Sequence, residues 1–134
     1  MVGLDTNVVV RYLTQDEPRQ CQAVNDLFER TARSEEVAFL INPIVLAEAA
    51  WVLDSVYRYA RVEIANALTL LLAVRQIQVE PRQAIKWALD AFASGEADFA
   101  DYLISALNRE QGCEATLTFD KKAAACAGFS LLTA

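Results

Sequence analysis

Val37-Ala38-Phe39-Leu40-Ile41-Asn42-Pro43 is the stretch on which the fold turns. Its first five residues form a short, unbroken apolar run, which reads as a buried strand. Asn42-Pro43 closes it: the asparagine offers a side-chain oxygen to the open amides of a helix start, and the proline suits the first helical position. Ile44 to Val56 then continues as a very apolar helix. A buried strand feeding directly into a helix is the unit from which parallel sheets are built.

The same alternation recurs on both sides of this stretch. Met1–Leu4 is a short apolar strand stopped by Asp5-Thr6-Asn7, and residues 8–13 continue as a helix. Pro18, beside Asp16 and Glu17, opens a second helix whose apolar residues Val24, Leu27 and Phe28 fall at helical spacing. Downstream, Val62, Ala65, Leu68 and Leu72 mark a helix, residues 77–80 a short strand, and Pro81 the start of a helix running to Ser94-Gly95. Residues 98–110 read as a helix that Gly112 terminates. Residues 115–119 form a strand, 120–127 a short helix and 129–132 a last strand. Strands separated by helices predict a three-layer α/β/α sandwich with a mainly parallel central sheet, built as a single domain over residues 1–134.

Composition narrows the chemistry. The 134 residues contain no histidine, which excludes Ser-His-Asp and Cys-His catalysis and any histidine-bearing zinc site. The three cysteines, Cys21, Cys113 and Cys126, are widely spaced and odd in number, a pattern of plain thiols rather than a disulfide framework. Net charge is −6, unlike a generic basic nucleic-acid-binding module. No basic region precedes the first apolar residues, and no apolar stretch nears the ~20 residues needed to cross a bilayer. The expectation is a soluble, cytoplasmic protein with no membrane association.

Most of the acids sit among polar neighbours, but a few do not. Asp5 ends the first strand and Asp120 follows the strand at 116–119. Asp98 and Asp101 lie three apart, so one helical face presents both. Glu48 is the only charge between Ile44 and Leu53, on a helix that reads as buried, where an unpaired carboxylate would cost several kcal/mol. Helix capping alone would account for Asp5, Asp98 or Asp120 taken singly. Together they fit a different arrangement. Sites in open α/β sheets form beyond the carboxyl ends of strands, and carboxylates converging there need a cation. Oxygen-only ligands select Mg²⁺ or Mn²⁺ over zinc, and such an ion keeps waters that can attack a phosphodiester.

Asp5-Thr6-Asn7 after an amino-terminal strand, a lone Glu48 in an apolar helix, Asp98-Phe99-Ala100-Asp101-Tyr102-Leu103-Ile104, and Thr118-Phe119-Asp120 resemble the PIN domain, and within it the VapC-type ribonuclease toxins of prokaryotic toxin–antitoxin pairs. The resemblance runs in order from Val2 to Leu132. It implies an Mg²⁺- or Mn²⁺-dependent endoribonuclease in which Asp5, Glu48, Asp101 and Asp120 are the catalytic, metal-binding acids. Asp98 competes with Asp101 for the third place or assists it as an outer ligand. Thr6 and Asn7 would support the first acid and Thr118 the fourth. The implied partners are an RNA substrate and a cognate antitoxin whose basic residue enters the carboxylate pocket.

Setting the four acids of such a site aside leaves a chain near neutrality, so local arginines such as Arg11, Arg58, Arg61 and Arg82 are candidates for holding RNA. The apolar segments 45–53 and 68–74 exceed what 134 residues can cover, which points to a homodimer and a partner surface. Two alternatives use the same acids differently. One is a non-catalytic module whose acidic pocket docks a basic peptide. The other is a receiver-type regulatory domain, which would need paired acids after the first strand, where Asp5 stands alone.

Overall fold

The computed structural model describes residues 1–134, which fall into two compact units, Met1–Val79 and Glu80–Ala134. In the first, β1 (Val2–Gly3) leads into α1 (Thr6–Thr14), α2 (Pro18–Thr31), β2 (Phe39–Leu40), α3 (Pro43–Ser55), α4 (Arg61–Leu72) and β3 (Ile77–Gln78). Its sheet has the order β1-β2-β3 and is parallel throughout, with Val2 opposite Phe39 and Phe39 opposite Ile77. The ladders are shorter than the apolar runs that predicted them. Single bonds such as Leu4 N–H to Leu40 C=O (2.9 Å) and Ile41 N–H to Gln78 C=O (3.0 Å) extend the pairing at the strand ends.

The helix starts follow the sequence signals. Asn42 accepts from the Val45 N–H (3.2 Å) at the head of α3, with Pro43 at the first helical position. Glu17 caps α2 by accepting from Gln20, with Pro18 in the same first position. Ile41, Leu46, Leu53 and Leu68 are fully buried between sheet and helices. Phe28 stacks on Tyr12 with ring centroids 4.3 Å apart and meets Phe39 at 4.8 Å. The buried Gln76 amide donates to the Phe28 carbonyl (3.1 Å), as a buried polar group requires.

The second unit holds α5 (Arg82–Ser94), α6 (Phe99–Glu110), β4 (Thr116–Thr118), α7 (Lys121–Ala124) and β5 (Phe129–Leu131). The two long helices pack through an edge-to-face pair, Phe92 and Phe99, and the Arg109 guanidinium lies 4.8 Å from the Trp87 ring centre. Strands β4 and β5 pair in parallel, Thr116 opposite Phe129. Gly112 ends α6 at φ +95°. Gly128 is held at φ +90°, where a Cβ would fall 2.0 Å from the Ser105 hydroxyl, so only glycine fits without displacement. The protein is thus α/β, with seven helices and parallel pairing in both sheets, and no helix is long and apolar enough to cross a membrane.

Glu48 departs from the sequence reading: it is exposed rather than buried. Helix α3 is apolar on nearly every side, so the sequence does not show which side faces in. Val45, Leu46, Ala49, Ala50 and Leu53 form the buried stripe, and Ile44, Glu48 and Trp51 share the opposite, exposed one. Large apolar side chains are exposed on both α3 and α4, with Trp51 64% and Leu70 70% accessible.

Candidate active site

In the first unit a cleft of about 350 Å³ opens where the end of β1 meets α1 and α3. It is lined by Asp5, Thr6, Asn7, Val10, Arg11, Glu48, Val52, Val56 and Tyr57. Asp5 is the N-cap of α1, and its Oδ1 accepts the Thr6 N–H at 2.7 Å. The buried Thr6 turns its hydroxyl to donate to Glu48 Oε2 at 3.0 Å. One residue thus fixes both acids, by its main chain on one side and its side chain on the other. The bonds use one oxygen of each carboxylate and leave the second to the cleft.

The second unit gathers Asp98, Asp101 and Asp120. Asp98 occupies the N-cap position of α6, yet its carboxylate makes no capping bond. Asp101 stands in the first turn of the same helix and is half-buried. Burial, with the like charges of Asp98 and Asp120, pushes its carboxyl above the usual range, against a bond from the Asp98 backbone and the charge of Lys122. Asp120 caps α7 by accepting the Lys122 N–H (2.9 Å), and its own N–H donates to the Thr118 hydroxyl (3.0 Å).

The sequence-predicted residues therefore meet in two sets: Asp5 with Glu48 through Thr6, and Asp101 with Asp98 and Asp120. Asn7 lines the first cleft and Thr118 braces the turn before Asp120. Every candidate donor is a carboxylate oxygen, which suits a hard divalent cation. Asp101 marks a local excess of negative charge that a cation would relieve. No three His, Cys, Asp or Glu side chains enclose a metal by themselves, and Mg²⁺ is commonly held by one or two carboxylates with water completing its shell. The residues present fit such an ion.

Two features of the first cleft escaped the sequence. Tyr57, just past the end of α3, is part of its wall, and Arg11, one of four arginines the sequence offers for holding RNA, is tied to it by a hydrogen bond that the sequence does not show. Those two residues are 46 positions apart, and no local pattern links them. Of the other arginines considered, Arg58 is exposed at a left-handed position, φ 58°.

Residues 2–128 match the model of the PIN domain. The chain belongs to the PIN domain family. This PIN domain is similar to a VapC ribonuclease of Aquifex aeolicus (strain VF5), 22% identical over 119 residues that cover 89% of this chain and 87% of that one. Among solved structures it is similar to Mycobacterium tuberculosis VapC20, described as a Sarcin-Ricin loop cleaving toxin. That match has 17% identity and a TM-score of 0.41, and covers 93% of this chain and 94% of the other. Membership of the PIN family removes the receiver-type alternative.

Proposed function

We propose that this PIN domain is an Mg²⁺- or Mn²⁺-dependent endoribonuclease, the toxin of a toxin–antitoxin pair, acting in the cytoplasm. The observation that carries the reading is the Asp5–Thr6–Glu48 arrangement: two exposed carboxylates at the end of a parallel strand, each with one oxygen anchored and one free. Its support from relatives is the similarity to a VapC ribonuclease along nearly the whole of both chains.

In this reading Asp5 and Asp101 would be the principal metal ligands, and Glu48 and Asp120 would orient water. A bound divalent ion would lower the pKa of its water and stabilise charge on the phosphodiester. Thr6 keeps Glu48 from swinging out toward solvent. Thr118 holds the turn that presents Asp120, and Asp98, with its carboxylate uncommitted to the helix, serves as an outer ligand. The exposed Ile44, Trp51, Val62 and Leu70 fit a homodimer or antitoxin contact. A basic antitoxin residue would enter the acidic cleft.

The test is cleavage of total RNA by purified protein with Mg²⁺ or Mn²⁺, beside Asp5→Asn and beside excess EDTA. Wild type should cut internally, and both controls should be silent. Activity that survives either control refutes the metal–carboxylate mechanism, and a wild type that binds a basic peptide but never cuts RNA points to the docking module.

A further inference from the structure

Arg11 lies on the wall of the Asp5–Glu48 cleft and is not free to wander. Its Nε donates to Gln20 Oε1 (2.6 Å), and its Nη1 donates to the Tyr57 hydroxyl (2.7 Å) and to Asp16 Oδ1 (3.4 Å). Asp16 is itself held by the Thr14 hydroxyl (2.9 Å). Short bonds at both Nε and Nη1 fix the plane of the guanidinium. Nη2, with two N–H donors, has no protein acceptor.

A purely structural role explains this poorly. An ion pair at 3.4 Å with Asp16, whose side chain is 46% accessible, adds little to stability. Arranging four side chains to orient one guanidinium is what preorganised recognition of an anion looks like, because the entropy of fixing the arginine is lost at folding rather than at binding. The cleft's other charged groups, Asp5 and Glu48, repel anions until a cation is present. Any phosphate drawn there then meets a single oriented donor pair on the wall.

We propose that Arg11 is an RNA-phosphate contact that sets the strand's register beside the acidic pair, with Tyr57 as the positioning residue that aims it. The inference rests on the nuclease reading and names how that site holds its substrate. Arg11 and Tyr57 leave the metal chemistry to the acids and govern how the strand lies across it.

The test measures binding of a fluorescein-labelled single-stranded RNA 12-mer to proteins that keep all the acids, with Ca²⁺, another hard oxygen-seeking cation, in place of Mg²⁺ to hold back cutting. Arg11→Gln should weaken binding by roughly tenfold and make the plot of log affinity against log salt shallower by about 0.7, the value for one lost phosphate contact on a single strand. Arg11→Lys keeps the charge, so it should keep the slope while losing part of the affinity. Tyr57→Phe should weaken binding severalfold with the slope unchanged. Unaltered affinity and slope in a folded Arg11→Gln protein overturn the proposal, as does failure of wild type to bind RNA. Should Arg11→Gln not fold, unaltered binding by Tyr57→Phe overturns it equally. Absence of cutting by wild type with Mg²⁺ or Mn²⁺ is instead a failure of the nuclease reading and shows separately.

Discussion

The hydroxyl of Thr6 donates to Glu48 at 3.0 Å across 42 positions of sequence, while the backbone N–H of the same threonine binds Asp5 at 2.7 Å. The geometry of the acidic pair therefore depends on a buried side chain that carries no charge. Thr6→Val keeps the shape and deletes the hydroxyl. Its expected effect is a fall in RNA cleavage rate of about 10- to 100-fold, the usual cost of losing a group that orients a ligand. Thr6→Ser should recover most of the rate. Steady-state cleavage assays on the three proteins check this, and a Thr6→Val rate equal to wild type would show that Glu48 needs no anchor.

Asp5→Asn separates capping from chemistry. Asparagine caps helices about as well as aspartate, so the melting temperature in EDTA should match wild type while RNA cleavage disappears. Mn²⁺ should stabilise wild type by binding its native state, by about 2.7 kcal/mol at a hundredfold excess over the dissociation constant. The variant should show a much smaller rise. Thermal shift with and without metal measures both effects.

Asp101 makes a pH prediction with a definite sign. Burial and the charges of Asp98 and Asp120 raise its carboxyl above the ordinary range in the folded protein, whereas the unfolded chain restores the ordinary value. Folding therefore favours the protonated form, and the ionised carboxylate is a penalty on stability above the folded pKa. The penalty shrinks as pH falls through the folded pKa toward the unfolded one. Metal-free Asp101→Asn should melt above wild type at neutral pH, with the gap closing below the carboxylate range. A variant less stable than wild type at pH 7 would contradict this.

Gly128 should resist substitution. At φ +90°, with a Cβ aimed 2.0 Å from the Ser105 hydroxyl, alanine must both adopt a strained backbone and displace a side chain. Gly128→Ala is expected to destabilise the protein by about 1–3 kcal/mol in urea unfolding. Alanine at Gly112, which has φ +95° but open space around it, should cost less.

The parts of the fold legible in sequence are those governed by local chemistry. Asn42-Pro43, Glu17-Pro18, Asp5 and Asp120 mark helix starts because capping acts within three residues. Asp98 is the instructive exception, since it holds the capping position without making the bond. The face of α3 was not legible: with apolar residues almost all round, the helix has no sequence periodicity to separate Glu48 from the buried stripe. The Arg11–Tyr57 contact was hidden for another reason, because it arises only when α1 and the end of α3 meet in space.

Asp5 commits one oxygen to the first amide of α1 and leaves the other to the cleft. On the proposed function, folding and reaction would thereby fall to two atoms of one side chain. Aspartate and asparagine codons differ by a single base, so on the same reading one point mutation would yield a chain that keeps its shape and loses its cut. On the proposed function, such a silenced copy would still occupy antitoxin and could still pair with an active copy. Inactivation at this position would then be felt through the partners it sequesters as well as through the activity it lacks.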